Sequence, residues 1–489
     1  MPKRTRSSFP TPLPWLLLSL CIALTACASA PTAPKPDEGR KSAQAAEAKA
    51  AKKEQPPYPS TYKPLPSRPV LITHATVLTA VGDRIEGGSV LMRDGRIAAV
   101  GRDLQAPADA TVLDAAGKWV TPGIIDAHSH LGVYPAPGVD AHQDGNENTD
   151  PVTAQVWAEH SIWPQDPQFP LALAAGVTTQ QILPGSANLI GGRSVTIKTV
   201  PARSAQAMKF PGAPYGMKMA CGENPKRVYG ENKGRAPATR MGNVAGYRAA
   251  FYEARDYKTE WDEYRRKHEK GDDDSPPEYD LGKETLVAAL DGDILLQIHC
   301  YRADEMMIMM DLAKEFGMKV SAFHHAVEAY KIADQLAKEG VCADMWADWW
   351  GFKMEAFDGI RENIPLVEKA GGCAVVHSDS AEGIQRLNQE AAKAMAAGNR
   401  MGMSLRPEDA IRWLTINPAR SIGVADQTGS LEAGKMADVV VWSGNPFSVY
   451  SKAEKVFIDG ALLYDRNDPA RQPHMDFELG LIDSLGGEQ

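Results

Sequence analysis

The chain has 489 residues, with 53 Lys plus Arg against 62 Asp plus Glu, a formal net charge of -9 and a pI near 5.7. An acidic balance of this size excludes a basic nucleic-acid footprint and reads as an ordinary solvated surface. The length exceeds what one small core needs and predicts more than one structural unit.

At the N-terminus, Lys3, Arg4 and Arg6 precede the apolar run PWLLLSLCIALTAC, too short to span a bilayer and shaped like a secretory signal. The run closes on Leu24-Thr25-Ala26-Cys27, which resembles the lipobox of bacterial lipoproteins. The resemblance implies that residues 1–27 are a lipoprotein signal peptide and that Cys27 is lipidated. With Ala28 and Ser29 following, it also implies a chain held at the outer membrane by its lipid anchor alone, facing the periplasm. An ordinary signal peptide with a chance cysteine is the alternative. Residues 28–66 are rich in Ala, Lys, Pro and Glu and read as a flexible tether. Cys221, Cys300, Cys342 and Cys373 show no CxxC spacing, and each lies in or at the end of an apolar stretch, so buried thiols are expected rather than disulfides.

From 67 to 120, short Val/Ile/Leu runs broken by GD, GG and DG predict hairpins and a small β-domain. From 121 to 423 eight apolar β-like runs, the first VTPGIIDAH and the last CAVVHSD, alternate with helical stretches, which argues for an α/β chain with a (β/α)8 TIM barrel. About 70 residues separate GMKMAC from DILLQIHC, more than a βα unit needs, so roughly 222–290 is an insertion. Its helix around YRAAFYEARDYKTEWDEYRRKHEK, charged nearly all round, reads as solvated cover. Residues 424–466 return to hairpin text and are expected to join the first β segment in one composite β-sandwich, with 467–489 a C-terminal tail.

In such a barrel the chemistry sits at the C-terminal ends of the strands. Strand one ends in His128 and His130, strand four carries Lys218, strand five ends in His299, strand six in His324-His325, and strand eight in His377 and Asp379. One histidine at a strand end is more often structural than a ligand. Several imidazoles with a carboxylate on one face suit Zn2+ or a similar divalent ion. His74, His268 and His474 fall away from these ends and have no expected role.

The stretches VTPGIIDAHSHLG, IHCYRADEM, FHHAVEAYKIADQLAKEG, VVHSD and LTINPARSIGVADQTGSLEAGKMADVVVWSGNP resemble the amidohydrolase superfamily, in its imidazolonepropionase-like branch, over about 69–465. The resemblance implies a distorted (β/α)8 barrel, a composite β-sandwich and a metal centre of one or two ions. Residue by residue it implies His128, His130, His299, His325 and Asp379 as ligands. On strand four the bridging ligand is either Lys218, carboxylated by CO2, or Glu223, with Lys218 preferred; with neither, the site holds one ion. His324 is then a neighbour that contacts the substrate or supports the ligands.

The expected activity is hydrolysis of a C-N bond, in an amide or small peptide, through metal-activated water, with Asp379 as the base and His377 orienting that carboxylate or the substrate. Arg227, Arg235 or Arg240 would clamp a substrate carboxylate, against the alternative of surface arginines paired with nearby acids. Two other readings stay open: a cyclic amidine or imidazolone hydrolase or deaminase with one ion, and a non-catalytic tethered binding protein. Oligomeric state is also open, a homo-oligomer included.

Overall fold

The structure, a computed structural model, describes residues 57–349 and 351–474. The expected signal peptide with Cys27, residues 28–56 of the tether and residues 475–489 of the tail lie outside the described residues. Among the described residues no helix is long and apolar enough to cross a membrane.

Two hairpins turn on Asp-Gly pairs, Asp94-Gly95 and Asp459-Gly460, each with both residues at positive φ. A two-residue turn needs that conformation, and Asp-Gly tolerates it. The first joins Ile85–Arg93 to Arg96–Gly101, the second Ala453–Ile458 to Ala461–Asp465. The N- and C-terminal β segments meet where Val439–Trp442 pairs antiparallel with Trp119–Pro122, so they form one composite sheet of eight strands. The ladders are continuous across it, with Thr111–Asp114 and Trp119–Pro122 sharing one edge of Val70–Val77.

The second sheet is a nearly closed barrel. Its strands, one to eight, are Ile124–Ser129, Val177–Ile182, Ile190–Lys198, Tyr215–Ala220, Ile294–His299, Val320–His324, Cys342–Met345 and Cys373–Val376. No ladder joins strand eight to strand one among the described residues; Asp126 joins their ends instead. Its carboxylate accepts the backbone N-H groups of His128 and Ser378, both at 3.1 Å, and the Ser378 hydroxyl, while Asp379 N-H donates to the His128 carbonyl at 3.0 Å.

Three expectations need correction. Strand three runs antiparallel to both strand two and strand four, so strand and helix do not alternate eight times. The stretch 183–189, with Pro184-Gly185, is too short for the helical crossover a parallel return requires. Strand three therefore begins at the mouth where the parallel strands end and finishes, at Lys198, on the opposite face.

The inserted helix, Arg240–His268, is not merely solvated: Asn243, Tyr247, Phe251, Ala254 and Tyr257, at spacings of three and four, form a buried stripe. Tyr247 donates to the Ala220 carbonyl, and Asn243 Nδ2 donates to the Gly222 carbonyl at 3.0 Å, which pins the helix over the end of strand four.

The four cysteines are not free thiols but two disulfides, Cys221–Cys300 and Cys342–Cys373. Cys342 and Cys373 are direct register partners on strands seven and eight. Cys221 and Cys300 follow the paired residues Ala220 and His299 on strands four and five. Cysteine spacing along the chain carries no trace of this, because the pairing is set by register between parallel neighbours.

Candidate metal centre

The end of strand one places His128 and His130 on the same side of the pleat. His130 Nδ1 lies 2.8 Å from the Leu183 carbonyl, an acceptor only, so in the neutral ring Nδ1 carries the proton and Nε2 presents its lone pair. His324 Nε2 lies 2.7 Å from Gln297 Oε1, which holds its proton there and leaves Nδ1 to accept from His128 Nδ1 at 2.9 Å, with the Asp344 carboxyl, which burial raises well above its ordinary range, 3.2 Å away. His128 then also presents an Nε2 lone pair. The two Nε2 atoms are 3.3 Å apart, and Asp379 Oδ1 stands 3.2 Å from His130 Nε2 and 3.6 Å from His128 Nε2. These tautomers follow from the partners. The result is three electron-pair donors converging with no proton between them, the arrangement a cation resolves.

The imidazoles are held neutral as metal ligation requires. Burial pushes His128, His299 and His325 well below the usual histidine range, with neighbouring cationic groups adding to the effect. Burial lowers His377 to about 4, against the opposing charge of Asp379. Burial raises the Asp379 carboxyl, but a proton on His130 Nε2 outweighs it and holds Asp379 below its ordinary value, and a cation in that proton's place acts in the same direction, so the carboxylate is ionised at neutral pH. Lys218 is fully enclosed in strand four with Nζ 3.3 Å from His128 Nε2, and burial lowers its ammonium to about 7 although Asp379 pulls it upward.

A second group of potential ligand atoms combines His128 with His325 and His377. His377 Nε2 lies 2.7 Å from His325 Nδ1, and His325 Nε2 lies 3.8 Å from Asp379 Oδ2. His325 and Asp379 both have positive φ, 60° and 48°, a costly conformation for non-glycine residues that concentrates at functional sites. His299 joins through ring contacts, 4.8 Å from His325 and 4.9 Å from Tyr301, and its buried Nδ1 has no protein partner. Lone pairs, neutral rings and an orphaned imidazole nitrogen together fit a divalent ion.

The remaining expected site residues sit elsewhere. Glu223 is turned to Lys353, at 3.4 Å, and belongs to neither ligand group. His324 is fully buried with both ring nitrogens engaged, to Gln297, His128 and also Asp344 at 3.2 Å, which leaves no atom for a substrate. Arg240 is paired with Asp304 at 2.6 Å and Arg235 with Asp150 at 2.7 Å, while Arg227 is exposed. Among the described residues none of the three arginines bonds to the histidine cluster, so the expected carboxylate clamp is not assembled there. Arg240 and Arg235 instead follow the alternative of surface pairs.

The Amidohydrolase family model matches residues 281–463. The crystal structure of an amidohydrolase from Thermotoga maritima MSB8 shares 36% identity with this chain and a TM-score of 0.74, covering 81% of this chain and 100% of that one. The chain belongs to the amidohydrolase family. It is also 34% identical over 415 residues to the amidohydrolase tasK of Hapsidospora irregularis, across 81% of this chain but only 42% of that relative's length. More distantly, it is 24% identical over 385 residues to the imidazolonepropionase of Mesorhizobium japonicum, covering 73% of this chain and 87% of the other.

Several residues that strand-end reasoning passed over shape this amidohydrolase site. Asp126 and Ser378 tie the two strand ends carrying ligand candidates; the signal for Asp126 was an acid two residues ahead of His128, on the same face of a wholly buried strand. Burial raises Asp126 to about 7 despite the bonds it accepts. Trp346, just past strand seven, stacks on His325 with ring centres 4.5 Å apart and donates Nε1–H to the Ser378 carbonyl at 3.0 Å. A search confined to polar strand ends misses an aromatic wall of this kind.

Proposed function

We propose that this amidohydrolase hydrolyses a C-N bond, in an amide or small peptide, with one or two divalent ions such as Zn2+. The observation that carries this reading is the convergence of His128 Nε2, His130 Nε2 and Asp379 Oδ1 within 3.2 to 3.6 Å of one another. These three would hold one ion, and His299 and His325, with a carboxylated Lys218 between, would hold a second. An ion bound here lowers the pKa of water and polarises the scissile carbonyl.

The chain's own residues perform the proton traffic and the positioning. Asp379, ionised at neutral pH, takes the proton of the attacking water and delivers it to the leaving nitrogen. His377, through its 2.7 Å contact with His325, orients that ring. Lys218, with an ammonium near 7, supplies the neutral amine that adds to CO2, releasing a proton and forming the carbamate. Strand four favours Lys218 over Glu223 as the bridge, because Glu223 faces Lys353.

The His128, His130 and Asp379 group also suffices for a single ion, and that observation supports the second reading, a cyclic amidine or imidazolone hydrolase or deaminase. The two disulfides support an exported, oxidising location, in keeping with the proposed lipid anchor at Cys27.

Metal analysis of the purified wild type beside Lys218→Ala and Glu223→Ala tests the assignment. Two ions are expected in the wild type and in Glu223→Ala, and one in Lys218→Ala. A single ion in the wild type removes the Lys218 bridge and leaves an amide and a deaminase screen to separate the two readings, and undiminished amide hydrolysis after exhaustive chelation ends both.

A further inference from the structure

A cavity of about 510 Å³ opens beside the metal centre, between the loop that follows strand seven and the helix Leu387–Arg400. Its inner wall is His377 and Ser378, the two residues immediately before Asp379. One side is aromatic: Trp346 and Trp349 stack with ring centres 5.1 Å apart and planes 20° from parallel. Trp346 is held there by its bond to the Ser378 carbonyl, whereas Trp349 is 40% exposed at the mouth.

The charges lie on the lining as well. Lys393 is bound by two carboxylates, Asp348 at 2.8 Å and Glu390 at 2.6 Å, so its ammonium is committed and one negative charge of the three groups is left over. Arg386, exposed at the rim, makes no hydrogen bond or ion pair among the described residues. The cavity therefore combines a flat apolar wall with one uncommitted guanidinium, a group whose fork geometry matches a carboxylate. Its volume lies in the range of pockets that take a small organic ligand.

We propose that this cavity is the side pocket of the proposed C-N hydrolase and that Arg386 and Trp349 determine its specificity. The substrate half it takes is an aromatic amino acid with a free carboxylate. The ring lies against the Trp346–Trp349 stack, the carboxylate meets Arg386, and the amide joining this half to the rest of the substrate points past Ser378 toward Asp379. The inference rests on the hydrolase reading for its meaning, but binding tests it without turnover.

The probe is 3-phenylpropionate, which keeps ring, spacer and carboxylate and has no scissile bond, compared with the neutral 3-phenylpropan-1-ol. Titration calorimetry on the protein as purified would measure both against wild type, Arg386→Gln, Arg386→Lys and Trp349→Leu. The carboxylate is expected to lose about tenfold in affinity with Arg386→Gln and to recover part of it with Arg386→Lys, while the alcohol is unaffected by either. Trp349→Leu is expected to weaken both probes. Equal affinity of the carboxylate for wild type and Arg386→Gln, or no preference for it over the alcohol, overturns the proposal. In turnover, N-acetyl-L-phenylalanine should show a lower KM than N-acetyl-L-phenylalaninamide, a difference that Arg386→Gln abolishes. Chelator-sensitive hydrolysis of amides without Arg386-dependent binding removes the pocket and leaves the hydrolase; Arg386-dependent binding without hydrolysis does the reverse.

Discussion

His324 shows how much one proton position matters. Gln297 holds its Nε2 proton, and that choice passes to His128, whose Nε2 is left bare toward Asp379. Partners of this kind orient a metal ligand and typically account for 10- to 100-fold in metal affinity. His324→Ala is therefore expected to weaken the first ion by roughly 10- to 100-fold, measured by competition with a chromophoric chelator. A change under about threefold would mean that His128 does not depend on His324 for its tautomer. The sequence placed two histidines at the end of strand six, and the choice of His325 as the ligand came from the family resemblance rather than from the spacing. Which ring faces the mouth depends on the turn at His325, where φ becomes positive and the ring swings to the mouth while His324 stays in the barrel interior.

At the scale of elements, one of the two disulfides acts where the site is assembled. Cys300 follows His299 directly, and Cys221 N-H donates to the His299 carbonyl at 2.9 Å, so this cross-link clamps the ends of strands four and five that bear Lys218 and His299. Cys342–Cys373 clamps the starts of strands seven and eight. Loss of a native disulfide costs about 2–5 kcal/mol in small secreted domains. Thiol titration of the denatured, unreduced protein is expected to find none of these four cysteines free, and a reductant is expected to lower the melting temperature. A reactive thiol at Cys221 or Cys342, or identical melting with and without reductant, would contradict the pairing. Eight strands were legible from apolar runs, because each run is short and is set off from the next by helical or turn text. The direction of strand three was not: a buried run has the same composition whichever way it is traversed.

Across the whole described chain, barrel and composite sheet are joined at the face opposite the metal centre. Lys198, at the end of the reversed strand three, is wholly buried and bonds Asp438 at 2.7 and 2.8 Å and Asp459 at 3.4 Å. Thr428 and Tyr62 complete the network around those acids. Removing one partner of a buried ion pair leaves an uncompensated charge, at a cost of about 3–5 kcal/mol. Lys198→Met is accordingly expected to lower unfolding free energy by about that amount in urea, with the metal content of the folded protein unchanged. Loss of less than about 1 kcal/mol would show that the network adds little to stability.

The sequence by itself determined the elements and the chemistry available at their ends: Asp-Gly hairpins, apolar strand runs, and the His-x-His, His and Asp residues that close them. These are local properties, set by alternation, turn stereochemistry and side-chain type. Tertiary structure alone decided which cysteines pair, which way strand three runs, that His324 supports rather than contacts, and that Arg386 rather than Arg235 or Arg240 is left unpaired, among the described residues, beside the cavity. Each of those outcomes depends on strand register and on charges brought close from distant parts of the chain, and neither is written in the spacing of neighbours.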